Sequence, residues 1–254
     1  MGTFVLNNKI ALITGGSRGI GKAIALGFSE AGAKVIVAAR TQNLLEEVLA
    51  EMRAKGGDGL AVLCDLKNDQ DILSLIKKTV DRYGRLDVLV NNAATSPFLK
   101  KSEEVTSEEW EQVIRINLTA PFLLCREASK VMIQNNWGRI INIASVGGLI
   151  ALPRLVAYCA AKGGLIQLTK VLAVEWAAKY NITVNAIAPG YISTDLTEGM
   201  RASEQISKNL LQRTPMRRFG EPNEVVGAAL YLASESSTYS TGAVITVDGG
   251  WMAS

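Results

Sequence analysis

Seven short runs, apolar almost throughout, punctuate the chain at 9–14, 34–39, 59–64, 86–91, 139–144, 182–188 and 243–248. Each is strand-length, and none alternates apolar with polar positions as a half-exposed strand would. Both faces of each strand are therefore predicted to be covered. Between the runs, apolar positions recur every three or four residues, which predicts helices near 19–31, 41–55, 68–83, 106–134, 155–179 and 222–233. Strand followed by helix, repeated, specifies an α/β fold. The expectation is a single Rossmann-type doubly wound parallel sheet of about seven strands, with helices on both faces and right-handed crossovers. No Pro/Ser-rich linker, repeat or low-complexity tract interrupts residues 1–254, so one domain is expected.

Composition narrows the class. With 48% hydrophobic and 20% charged residues, the chain can bury a sizeable core. The formal charge is only +3, and basic residues are interspersed with acids, so nucleic acid is not an expected partner. The longest apolar runs are too short to span a membrane. The Met1-Gly2 start shows no basic-then-apolar leader, and Leu6 stands where an acylation pattern needs Ser or Thr. A cytoplasmic protein with no membrane attachment is expected. The three cysteines, Cys64, Cys125 and Cys159, are far apart and suit reduced thiols. No Cys/His set exists for zinc, and no metal is expected.

The chain has no histidine, so proton transfer near neutrality falls to Tyr, Lys, Cys or a carboxylate. Tyr158 and Lys162 stand four apart in Y-C-A-A-K, one above the other on a helix face. An ammonium beside a phenol favours the phenolate. Tyr158 is therefore expected to have a depressed pKa and to exchange a proton near neutral pH.

Thr14-Gly15-Gly16-Ser17-Arg18-Gly19-Ile20-Gly21 joins the first predicted strand to the first helix. Glycines there permit a tight turn and close approach of a pyrophosphate, and the free N–H groups of the helix start face the anion. The second strand then closes as V-A-A-R-T, with no acid to meet ribose hydroxyls. Arg40, with Arg18 from the loop, offers planar donor forks to a 2′-phosphate instead. NADP(H) is the expected cofactor, rather than NAD(H).

This loop, Asn91-Asn92-Ala93-Ala94, Asn117, Ser145, Tyr158-x-x-x-Lys162 and Pro189-Gly190 occur together and in this order. Any one of them is a weak signal. As a set, spread over 9–251, they resemble the short-chain dehydrogenase/reductase family. The resemblance implies an oxidoreductase that moves hydride reversibly between nicotinamide and a carbonyl or secondary alcohol. It implies that Tyr158 is the general acid/base, that Ser145 holds the reacting oxygen, and that Lys162 lowers the Tyr pKa and binds the nicotinamide ribose. Asn117 would anchor a water that links Lys162 to solvent. Beyond the loop and Arg40, cofactor contacts would come from Asp65 and Leu66 at the adenine and from Asn92 and Ala93 at the adjoining ribose. Pro189, Gly190, Ile192 and Thr194 would join Tyr158 and Lys162 at the nicotinamide. Ala94 stands where the family usually has Gly, a substitution that a negative φ would tolerate.

The partner is expected to be a small carbonyl or alcohol. The stretch 146–156 is a mostly apolar wall with Arg154 its lone charge, and 191–215, with Gly199 and mixed polarity, suits a mobile lid. An apolar wall with one cation fits a ketone with an aliphatic portion and an anion, such as a 3-oxoacyl thioester on a carrier, or a related ketone. Glu175-Trp176-Ala177 and Asp248-Gly249-Gly250-Trp251 equally resemble relatives that act on gluconate-type sugar acids, and both readings stay open. A dinucleotide sensor that had lost its chemistry should lack Tyr158 or Lys162, and neither is missing. The two longest predicted helices carry surplus apolar residues, including Val113, Phe122, Leu123 and Leu124, and Leu165, Leu168, Val171 and Leu172. Subunit pairing would cover them, relatives in the family are commonly dimers or tetramers, and a homotetramer is expected.

Overall fold

The strands are β1 (Ile10–Thr14), β2 (Lys34–Ala39), β3 (Gly59–Leu63), β4 (Val88–Asn91), β5 (Gly138–Ile143), β6 (Ile182–Pro189) and β7 (Val244–Val247). In the computed structural model, which describes residues 4–254, they form one parallel sheet in the order β3-β2-β1-β4-β5-β6-β7. The Met1-Gly2 start, on which the expectation of no leader rests, lies outside the described residues.

Side chains alternate across the sheet, as the pleat requires. Ala11, Ile13, Val35 and Val37 face one layer, and Ile10, Leu12, Ile36 and Ala38 face the other. The first layer contains α1 (Gly19–Glu30), α2 (Gln42–Ala54) and α9 (Val226–Ala233), which insert Ile24, Phe28, Leu45, Val48 and Leu232. The opposite layer contains α3 (Asp69–Tyr83), α5 (Ala120–Gln134) and α6 (Val156–Tyr180), which contribute Ile72, Leu75, Leu124, Ala128 and Leu172. The chain winds outward from β1 to β3 and then returns to set β4 beside β1. The strand order reverses there, and a crevice opens beyond the carboxyl ends of the strands.

The long helix predicted over 106–134 is interrupted. A capping box of Thr106 and Glu109 starts α4 (Ser107–Ile114), then the chain widens into a π turn (Arg115–Thr119) before α5. Pro121 explains the break: it has no N–H to return to the Asn117 carbonyl four residues back. The Ala120 N–H reaches the Arg115 carbonyl, five residues back. The 191–215 segment holds two helices that no apolar period predicts, α7 (Glu198–Ala202) and α8 (Glu204–Arg213). Among the described residues no helix is long and apolar enough to cross a membrane.

Most of the apolar residues expected to await a partner subunit are used inside the protomer. Val113, Leu123, Leu124, Leu165 and Leu172 are buried, whereas Phe122, Val171 and Val174 stay exposed at 41%, 44% and 84%. The surplus is thus narrower than the sequence suggested.

Candidate active site

The phosphate loop is held by the residues that follow β4. Thr14 Oγ1 accepts from the backbone N–H groups of Asn92 (3.1 Å) and Ala93 (3.3 Å). The Asn92 amide donates to the Thr14 and Gly15 carbonyls at 3.0 and 3.1 Å. Gly15 has φ +62°, and a Cβ there would lie 2.9 Å from the Ala93 Cα. At Gly21 a Cβ would collide with the Gly15 carbonyl. These two positions need glycine for different reasons, one for backbone hand and one for close approach. Arg18 caps α1 in an extended conformation with no side-chain hydrogen bond to the first turn, so the helix start is open to an anion. Ala94 is absent from the residues with positive φ, so the extra methyl strains nothing.

The two arginines sit differently. Arg40 is exposed at the end of β2, with no acid beside it on that strand. Arg18 reaches across the cleft to Asp195, with Nη1 2.5 Å from Oδ2 and both side chains well exposed. A solvated pair of this kind contributes little stability, so Arg18 is readily exchanged to another anion.

One continuous cleft of about 600 Å³ runs from this loop to the ends of β5 and β6. Ser17, Ile20, Asp65, Leu66, Ala93, Pro189, Gly190, Ile192 and Thr194 all border it, as do Ser145, Tyr158 and Lys162. Of the residues expected in the site, Gly21 and Asn117 alone lie behind the lining. Gly21 supports the loop from beneath. Asn117 is fully buried, donating to the Thr95 carbonyl at 2.7 Å and accepting from its N–H at 2.8 Å. Its side chain is committed to that strap, and Pro121 leaves the Asn117 main-chain carbonyl without its i+4 helical donor.

At the reaction end, Ser145 follows β5, and its Oγ accepts from Gly147 N–H at 3.0 Å, which leaves the hydroxyl proton free to turn outward. Lys162 is 2% exposed; its Nζ donates to the Ile143 carbonyl at 2.6 Å and lies 5.8 Å from the Tyr158 ring centre. The electrostatics reverse the expectation of a depressed phenol. Burial pushes Tyr158 above its ordinary value near 10, with the Ser145 hydroxyl acting in the opposite direction. Burial also pulls Lys162 from 10.5 to about 7. In this dry corner the cost of creating either charge exceeds what the pair returns by attraction.

That lysine is a stability burden with a defined pH window. Between pH 7 and 10.5 the unfolded chain holds the Lys162 proton and the folded chain does not, so stability rises with pH; below 7 the penalty is complete. Lys162→Met is expected to raise the unfolding midpoint most below pH 7, with the gain fading towards pH 10, while turnover collapses. Thermal denaturation across that range checks it, and a lowered midpoint at pH 6 contradicts it.

Arg154 lies off the cleft wall: it is exposed, at φ +69°, and does not line the cavity. The wall is formed instead by Val146, Leu152, Leu155, Leu196 and Met200. Thr95 escaped the sequence reading altogether, Tyr191 and Asp195 enter it only as part of the 191–215 segment, and Thr14 only as part of the loop.

The model of the family described as enoyl-(acyl carrier protein) reductase matches residues 15–252. The chain belongs to the short-chain dehydrogenase/reductase family. It is an oxidoreductase of that family. A 3-oxoacyl-[acyl-carrier-protein] reductase from Synechocystis sp. is 43% identical over 96% of this chain and 97% of its own length. A 2-dehydro-3-deoxy-D-gluconate 5-dehydrogenase from Escherichia coli is 37% identical over 100% and 99%. Among solved structures, a gluconate 5-dehydrogenase from Burkholderia cenocepacia, in complex with NADP and tartrate, superposes with a TM-score of 0.94 at 33% identity, covering 99% of this chain and 98% of that one. The short-chain dehydrogenase/reductase sheet thus spans nearly every residue here.

Proposed function

We propose that the protein is an NADP(H)-dependent reductase of ketones, with a 3-oxoacyl thioester, free or carrier-linked, as its substrate class. One observation carries the reading. A single cleft joins a glycine loop flanked by two arginines, with no acid at the end of β2, to Ser145, Tyr158 and Lys162. The loop fits a dinucleotide, because Gly15 and Gly21 leave a cradle that side chains would fill and α1 presents its unpaired N–H groups. Asp65 and Leu66 flank the adenine position, Asn92 and Ala93 the adjoining ribose, and Pro189, Gly190, Ile192 and Thr194 the nicotinamide. When bound, the cofactor supplies the hydride.

The chain's own residues supply position and protons. Ser145 directs its free hydroxyl proton to the carbonyl oxygen. Tyr158, kept protonated at neutral pH by burial, donates to the same oxygen as negative charge develops there. Lys162, titrating near 7, replaces that proton and is itself resupplied along the path past the Asn117 carbonyl. In the oxidation direction each transfer reverses.

The wall favours a neutral chain over a sugar acid. Arg154 is off the cleft, and Lys162 is the one cation lining the reaction end among the described residues. A carboxylate there would lack its own partner. The gluconate-type reading stands second, on the 37% identical relative. We further read 1–254 as one cytoplasmic catalytic domain with 191–215 as its lid. Phe122, Val171 and Val174 are read as part of a homotetramer contact. NADPH oxidation, followed by absorbance, tests the activity: acetoacetyl-coenzyme A is expected to turn over at least tenfold faster than 5-ketogluconate. The reverse order would move the assignment to sugar acids, and a flat response with NADPH bound would favour a sensor.

A further inference from the structure

The cleft holds a second phenol that the reaction above does not use. Tyr191 lines the same cavity as Tyr158, and its hydroxyl makes no hydrogen bond among the described residues. Its position is fixed from three sides. The Gly190 N–H donates to the Val247 carbonyl at 3.0 Å, and the Tyr191 carbonyl accepts from Gly220 N–H at 2.9 Å, so the backbone is tied before and after the side chain. The ring meets Trp251 edge-on, with centroids 4.8 Å apart at 66°. Trp251 is 3% exposed and lies under the Arg213 guanidinium at 4.4 Å. The Asp248 carboxylate accepts from Gly250 N–H at 3.0 Å and Met252 N–H at 2.8 Å, which fixes the turn that carries this tryptophan.

A tyrosine whose ring is clamped and which lines the cavity alongside the apolar wall of Val146, Leu152, Leu155, Leu196 and Met200 offers a hydroxyl donor to a bound acceptor. Burial keeps it protonated, so it donates and does not carry charge. Tyr158 and Tyr191 line the same cavity, so one bound molecule can meet both phenols. Filling such a cavity with a purely apolar ketone would leave this hydroxyl unpaired, at a cost in free energy.

We propose that Tyr191 is a specificity-determining residue whose hydroxyl donates to a second, neutral oxygen of the substrate, beside the carbonyl that Tyr158 protonates. The substrate class is then a ketone with an ester, thioester or other uncharged acceptor close to the reacting carbon. This rests on the ketone-reductase reading above, and deepens it by naming what the substrate must carry besides a carbonyl. A site built to hydrogen-bond a substrate oxygen discriminates strongly against the analogue that lacks it.

Tyr191→Phe tests it, since the phenyl ring keeps the Trp251 contact and only the hydroxyl is lost. With NADPH, ethyl 3-oxobutanoate is compared with 2-pentanone, which lacks the second oxygen. The variant is expected to lose about tenfold in kcat/KM for the keto ester, mainly through KM, and to leave 2-pentanone unchanged. Equal losses on both ketones, or none on either, overturn the proposal. Should the wild type reduce neither ketone, it is the reductase reading that falls. The hydroxyl is then judged by binding alone, with ethyl 3-hydroxybutanoate against 2-pentanol titrated into NADP-loaded protein by calorimetry. A loss confined to the hydroxy ester upholds the donor role, and unchanged or parallel affinities overturn it.

Discussion

Tyr158→Phe is expected to reduce turnover by about 10²- to 10⁴-fold, the contribution typical of a positioned acid or base. The substitution removes one oxygen and leaves the ring that packs with Val113, Ala157 and Ala161. Folding should therefore be nearly unchanged. NADPH affinity should also be nearly unchanged, because the loop, Arg18 and Arg40 lie at the far end of the cleft. No histidine stands ready to replace the lost proton donor. Of the cysteines near the sheet, Cys64 and Cys125 are buried thiols pushed up to about 12. Fluorescence titration of NADPH and single-turnover kinetics separate binding from chemistry. Near-normal turnover with unchanged binding would remove Tyr158 from the reaction.

The second large effect lies at Arg40. Arg40→Asp exchanges a guanidinium for a carboxylate at the end of β2, where a 2′-phosphate would otherwise find its donor fork. The expected outcome is a loss of roughly 10- to 100-fold in NADPH affinity, in line with a charge-assisted hydrogen bond removed and a like charge introduced. NADH affinity should rise, since the new carboxylate can accept from the ribose hydroxyls. Arg40 is exposed, so the change costs the fold little. Dissociation constants for both dinucleotides check it. A variant that still prefers NADPH would place the discrimination on Arg18 and its exchange away from Asp195.

The central strands were legible because burial on both faces leaves a sequence with no polar alternation, and β2 matches its predicted span residue for residue. What stayed hidden has physical causes. The helices α7 and α8 bury no residue, so no apolar period marks them. Pro121 could have announced the break in the long helix, yet the surrounding apolar spacing continues through it. In the site, residue identity and order carried the constellation, but its electrostatics depend on tertiary burial that no spacing reveals. The expected phenolate became a raised phenol because burial acts on Tyr158 itself, and Lys162 beside it is buried and hydrogen-bonded to a main-chain carbonyl. Likewise Arg18 meets Asp195, a partner 177 positions away.

The bonds that join Thr14 and Gly15 to Asn92 and Ala93 make the floor of the cleft one stiff plate. Two strand ends that are remote in sequence cannot shift apart, so their freedom was lost when the sheet folded. A dinucleotide that arrives later has no loop to organise. Its grip can then come from main-chain dipoles already aimed, which lets a nearly neutral chain hold a polyanion.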